Sequence, residues 1–174
     1  MNILRKTSPN LLMTKMKKIL LIGLISLFAF SIVSCGPGVL ADRNKKIENS
    51  VWKSNDIVKF SVAIPDTIEL YNFYINIRNA SDYRYSNIFL FLKTLYPNGM
   101  YSVDTIECRL ADDSGKWLGK QRGKMVDNRI LFRKGIRFKL SGNYSFEFEQ
   151  AMREPELQGI EDFGIRLEKF ETEK

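Results

Sequence analysis

Val58-Lys59-Phe60-Ser61-Val62-Ala63-Ile64, stopped by Pro65, decides the fold class. Val58, Phe60, Val62 and Ile64 recur at every second position with Lys59 and Ser61 between them. Successive side chains of an extended chain point to opposite faces, so this spacing makes one dry and one wet face, the mark of a half-buried β-strand. Downstream, Tyr71, Phe73, Ile75 and Ile77 repeat the pattern against Asn72, Asn76 and Arg78, and Asn79-Ala80-Ser81-Asp82 then supplies turn chemistry. Residues 87–96 are apolar on both faces (Ile88, Phe89, Leu90, Phe91, Leu92), which predicts a central strand, and Pro97-Asn98-Gly99 turns it into a hairpin. Ile106, Cys108 and Leu110 alternate with Glu107 and Arg109 on the return. Three further strands are predicted around Ile130 and Phe132, around Ile136, Phe138 and Leu140, and around Tyr144, Phe146 and Phe148, with breaks at Gly135 and Ser141-Gly142-Asn143. Ile165 and Leu167 mark a last one. Only residues 149–154 allow a helical turn, and Pro155 interrupts it. Short strands with turn signals roughly every ten residues predict an all-β chain, an antiparallel β-sandwich of immunoglobulin-like or jelly-roll-like type.

Composition narrows the chemistry. The chain has 174 residues, enough for one domain with a short appendage. It has no histidine, which excludes Ser-His-Asp and Cys-His nucleophile pairs, HExxH zinc sites and histidine pH switches. Two cysteines cannot build a zinc ribbon, an iron–sulfur site or a disulfide framework. The net charge of +7 is uneven: five of the 27 basic residues and none of the 20 acidic ones lie in residues 1–34. The rest of the chain is nearly neutral, so no basic stripe for a phosphate backbone is expected there and no nucleic-acid partner is inferred.

Residues 1–34 read as an export signal. Lys15, Lys17 and Lys18 precede an uncharged apolar run over residues 19–33, shorter than the roughly 20 residues that a membrane-spanning helix needs. Met16 is an alternative start that gives a compact signal. The run ends in Ile32-Val33-Ser34-Cys35, which resembles the bacterial lipobox, so Cys35 is the expected site of acylation and the new N-terminus. More than one acyl chain holds a protein on a membrane essentially permanently. Residues 35–50, opening with Gly36-Pro37-Gly38, read as a lipidated cysteine and flexible tether, and residues 51–174 as the sandwich. No acidic cluster follows Cys35, which favours the periplasmic face of the outer membrane.

Candidates for chemistry are few. Asp112-Asp113-Ser114-Gly115 lacks the alternating oxygens and distal glutamate of a calcium loop and reads as a turn. Glu147 and Glu149 alternate with Phe146 and Phe148 and so fall on the wet face of a sheet rather than forming a catalytic pair. Cys108 lies in the inward phase of its strand and reads as a small buried hydrophobe. Tyr83 and Tyr85 flank Arg84 in a turn, and Trp117 follows Gly115-Lys116. Rings held outside a core by loops stack on sugars or fill a protein pocket; the alternative is that they fold back as a lid on the sandwich edge.

Several blocks carry a family resemblance: Ile64-Pro65-Asp66-Thr67, Tyr74-Ile75-Asn76-Ile77-Arg78-Asn79, Asp82-Tyr83, Tyr85-Ser86-Asn87, Gly115-Lys116-Trp117-Leu118-Gly119 and Glu149-Gln150-Ala151-Met152-Arg153. With the lipobox and the final Gly159-Ile160-Glu161-Asp162-Phe163-Gly164-Ile165-Arg166, the chain resembles the GldH family of gliding-motility lipoproteins. The resemblance implies a Bacteroidota outer-membrane lipoprotein, associated with gliding and the linked type IX secretion apparatus, with no enzymatic activity and no cofactor. It departs from the family pattern at Arg84 and at Gln121-Arg122. On this reading the chain docks or stabilises partner envelope proteins. The candidate partner-binding residues are Asp82, Tyr83, Tyr85, Asn87, Trp117, Leu118 and Arg153. The alternative is a glycan- or peptidoglycan-binding lipoprotein in which Tyr83, Tyr85 and Trp117 stack on sugar.

Overall fold

The computed structural model describes residues 38–170. The export signal, the lipobox and Cys35 lie outside them. The described strands are β1 Val39–Lys46, β2 Val51–Lys53, β3 Val58–Ile64, β4 Leu70–Ala80, β5 Asn87–Leu95, β6 Tyr101–Arg109, β7 Lys120–Arg122, β8 Met125–Arg137, β9 Gly142–Gln150, β10 Glu156–Gln158 and β11 Ile160–Lys169. One layer has the order β1-β11-β4-β8-β7, the other β3-β9-β5-β6, and the short strands β2 and β10 pair with each other. All pairings are antiparallel. Among the long strands the chain changes layer at every connection except the β5–β6 hairpin. The facing orders β1-β11-β4-β8 and β3-β9-β5-β6 are those of a jelly roll, which selects that alternative over the immunoglobulin-like one.

Aromatic rings from both layers fill the space between them. Phe163 of β11 meets Trp52 at 4.7 Å, Phe148 at 4.8 Å and Phe60 at 6.2 Å between ring centroids. Further along, Phe73 of β4 meets Phe146 of β9 edge-on at 5.1 Å. The alternation that predicts β3 is realised in full: Val58, Phe60, Val62 and Ile64 are all buried and Lys59, Ser61 and Ala63 exposed.

Four readings need correction. Residues 39–46, expected within the tether, form β1 at the sheet edge, paired with β11 from Val39↔Glu168 to Lys46↔Asp162. Only Ala41 of that strand is buried, so no period-two signal exists to find it. Gly135 does not divide two strands: β8 runs through it, with register shifts against Tyr71, Phe73 and Tyr74 of β4, and the Gly135 N–H donates to Asn72 Oδ1 at 3.1 Å. Its φ of +60° serves a bulge rather than a chain reversal. β5 is central, hydrogen-bonded to β6 and β9, but its second face is uncovered, leaving Phe89 and Phe91 38% and 43% exposed. Lastly, residues 151–154 form no helical turn, and the one described turn of helix is the 3-10 turn Glu48–Ser50.

Antiparallel connections sort the loops into two ends. Loops 65–69, 96–100 and 138–141 lie at the end where β1 starts and β11 stops, as Lys169↔Tyr71, Leu70↔Arg137, Ile64↔Gly142 and Leu95↔Tyr101 show. Loops 81–86, 110–119 and 151–155 lie at the other end, where the β2–β10 pair also sits.

Candidate functional site

All seven candidate partner-binding residues of the described chain fall at that second end, hereafter the far end. Three loops are knitted together there by backbone hydrogen bonds. Leu110 N–H and Ala111 N–H both donate to Ser86 O, at 2.7 and 2.9 Å, Leu118 N–H donates to Leu110 O at 2.8 Å, and Ala151 N–H donates to Phe89 O at 2.8 Å. The 151–154 loop is tied down from within: Met152 N–H donates to Gln150 Oε1 at 2.9 Å and Gln150 Nε2 donates to Glu154 O at 2.8 Å.

Tyr83 is not a free ring. It is 6% exposed, packed beneath Gly159, and its hydroxyl donates to Asn87 O at 3.1 Å. Burial pushes its pKa far up. Turn residues at loop bases become core when a hydroxyl finds a backbone acceptor, which is what Tyr83 does. Tyr85 lies edge-on to Tyr83 at 5.7 Å and is half-buried. Its hydroxyl donates to Glu154 Oε1 at 2.6 Å, and that carboxylate raises the Tyr85 pKa, burial adding to it. Trp117 is half-buried against the core, held by a bridge to Ala111. The three rings therefore follow the lid reading rather than the free-platform one. Asn87 is half-buried and donates to Glu107 Oε1 at 2.7 Å. Asp82 and Arg153 are exposed, and Leu118 is 61% exposed.

The aspartate turn that holds up Trp117 is a turn and nothing more. Asp112 Oδ1 accepts from the Ser114 hydroxyl at 2.6 Å, Ser114 N–H at 2.9 Å and Lys116 N–H at 3.0 Å. Those donors, the Ser114 hydroxyl first, hold the carboxyl below its ordinary pKa. Glu147 is engaged by Lys59 at 2.9 Å and Lys93 at 3.8 Å, which is the wet-face arrangement expected of it. Cys108 is buried, and burial pushes its thiol up to about 12.

Sequence reasoning missed the apolar strip beside these loops. Phe89 and Phe91 of β5 face outward, and across the hairpin Val103 and Tyr101 of β6 are exposed on the same face, with Lys93 Nζ 5.2 Å from the Tyr101 ring centre. The signal was the two-faced apolar run of residues 87–96, which says that both faces are apolar without saying what covers the second. Two concavities lie elsewhere. One, of about 540 Å³ on the outer face of the β1-β11-β4-β8-β7 layer, is lined by charges that neutralise each other, such as Arg78 against Asp127 at 2.9 Å. The other, of about 570 Å³, is apolar and opens between β6 and the unpaired part of β8. Neither contains a candidate residue.

The comparisons with known proteins bear on most of this chain. The GldH lipoprotein family matches residues 39–167, from β1 into β11. The chain is 34% identical over 158 residues to the gliding motility lipoprotein GldH homolog of Christiangramia forsetii, covering 85% of this chain and 96% of that one. It is 29% identical over 153 residues to the gliding motility lipoprotein GldH of Flavobacterium johnsoniae, covering 84% and 94%. The match thus takes in both layers of the jelly roll and every far-end loop, and the chain belongs to the GldH lipoprotein family of membrane-anchored envelope proteins.

Proposed function

We propose that the protein is a non-catalytic, lipid-anchored docking module that supports gliding motility and the linked type IX secretion machinery by holding partner envelope proteins. The relatives' printed association with gliding motility supports the first part. The observation that carries the docking reading is the exposed apolar strip of Phe89, Phe91 and Val103 on the four-stranded layer, which starts at Phe89 on the side of the far-end loops that carry Leu118 and Arg153. Exposed apolar surface on a rigid scaffold is what a protein interface uses at its centre, with charges such as Arg109 and Glu107 at its rim. The anchor at Cys35 confines the module to the outer membrane, on its periplasmic face in this reading. Two-dimensional confinement raises the effective concentration of the strip near membrane-bound partners, so contacts of modest strength suffice.

The test is crosslinking in intact cells followed by co-purification, comparing the wild-type chain with Phe91→Lys and with Leu118→Asp. Both positions are exposed, so the fold stays intact by circular dichroism while the recovered partners fall severalfold and gliding slows. Unchanged recovery with both variants rejects this face. The glycan reading requires free rings, and Tyr83, Tyr85 and Trp117 are all packed or hydrogen-bonded, so the same variants are expected to leave retention on peptidoglycan beads at background.

A further inference from the structure

The geometry points to the near end of the jelly roll as a face that rests in the lipid bilayer, its loop tips entering the interfacial region. This inference rests on the reading of Cys35 as the acylated residue. Only Gly36 and Pro37 separate Cys35 from Gly38. An extended chain spans at most about 3.6 Å per residue, so an acylated Cys35 lies within about 11 Å of Gly38. Gly38 is already part of the folded body: its carbonyl accepts from Lys169 N–H at 2.6 Å, and β1 starts at the next residue. A tether running to residue 50 would let the domain tumble away from the membrane. With β1 in place, two residues do not.

The end that carries Gly38 is built for that contact. Of the large apolar residues exposed among the described residues, Val39, Ile68, Met100, Tyr101 and Leu140 gather there, against Ile57 and Leu118 at the far end, with Phe89, Phe91, Val103 and Leu131 along the strands between. Ile68 is 78% exposed at a loop tip, and Met100, 65% exposed, closes the base of the 96–100 turn beside the apolar concavity. Several backbone groups of each loop are taken up locally, as suits a segment entering a water-poor layer. Asp66 Oδ1 accepts from Ile68 N–H at 2.9 Å and Glu69 N–H at 3.0 Å. In the 96–100 turn, Gly99 N–H donates to Tyr96 O at 3.0 Å, Tyr96 N–H to Met100 O at 2.8 Å, and Met100 N–H to Asn98 Oδ1 at 3.1 Å. Tyr144 Oη holds both Leu140 N–H and Leu140 O, at 3.3 and 3.0 Å.

Lys134, Arg137 and Lys139 flank Leu140 with no acid between residues 134 and 141, and all three are exposed. Long basic side chains beside apolar tips reach the phosphates while the tips enter the acyl boundary. Among the described acids of this end, Glu69 pairs with Lys169 at 2.9 Å, Glu168 with Arg166 at 2.7 Å, and Asp66 caps its own loop.

The experiment uses the full chain, expressed with lipidation and reconstituted in vesicles of phosphatidylethanolamine and phosphatidylglycerol. Ile68→Cys, Met100→Cys and Leu118→Cys are labelled one at a time with a polarity-sensitive fluorophore in a Cys108→Ala background, Cys108 being buried. A lipid spin-labelled high on its acyl chain serves as quencher, and the mass of the Cys35 peptide is measured on the same sample. Labels at 68 and 100 are expected to lose most of their emission and shift to the blue, while the label at 118 keeps its own. With acylation present in the mass spectrum, equal response at all three sites overturns the inference and leaves the Cys35 assignment standing. A Cys35 peptide without acyl mass overturns both.

Discussion

Asp112 and Cys108 show how much one residue's surroundings decide. Asp112 organises the turn beneath Trp117 through three donors to one oxygen, and the charged carboxylate is what they favour. A carboxyl whose folded pKa lies below its unfolded value contributes fully above the ordinary range near 3.9, and the contribution fades as pH falls through the lowered value. Acid titration from pH 5 to pH 2 is therefore expected to release the turn, read as a change in Trp117 fluorescence that Asp112→Ala already shows at pH 7. Cys108 behaves oppositely. Its thiol, pushed up to about 12 by burial with the Glu107 charge adding to it, is expected to resist a thiol-specific reagent at pH 8 and to react fully in urea. Rapid reaction of the folded protein would contradict its burial. At the core, Phe163 touches Trp52, Phe60 and Phe148, and Phe163→Ala is expected to cost about 3–5 kcal/mol in urea unfolding through the cavity it leaves. Cys108 was legible because strand phase places it inward beside Ile106 and Leu110. Tyr83 was not, because a ring in a turn has no phase, and its burial depends on Gly159, brought over it by the chain after β9.

At the level of the strand, what the sequence showed was what alternation can encode. β3, β4 and β9 each bury every second side chain over a stretch long enough to read, β6 does so at Ile106 and Cys108, and each was legible. β1 was not. An edge strand with one buried side chain needs no apolar period, and its pairing to β11 links positions about 120 residues apart, a distance over which local pattern carries nothing. Gly164 of β11 records that pairing: a Cβ there would overlap the Arg43 carbonyl oxygen and the Asn44 side chain across the ladder. Gly164→Ala is therefore expected to push β1 off the sheet edge, with hydrogen exchange rising across residues 39–46 and a stability loss of about 1–3 kcal/mol. Exchange unchanged in β1 would mean that the edge tolerates the methyl. Gly135 was misread for a different reason. A positive φ suits both a reversal and a bulge, and only the partner strand, whose Asn72 accepts from the Gly135 N–H, decides between them.

For the molecule as a whole, the connections that make a jelly roll also separate two candidate surfaces. The near end carries Gly38 and the exposed Ile68 and Met100, while the far end carries Leu118, Asp82 and Arg153, and the Phe89 and Phe91 strip runs along one flank. If the near end is seated on lipid, the candidate partner-binding residues stand one strand length away, and a link of two residues holds them near a fixed height. Lengthening that link separates anchoring from orientation. Twenty Gly-Ser residues inserted between Pro37 and Gly38 have a root-mean-square reach of about 25 Å, enough to free the body while leaving the lipid in place. The insertion is expected to leave membrane retention and circular dichroism unchanged, to lower lipid quenching of a label at Met100, and to slow gliding on a surface. Normal gliding with reduced quenching would show that confinement alone serves the partners and that the seated orientation is dispensable.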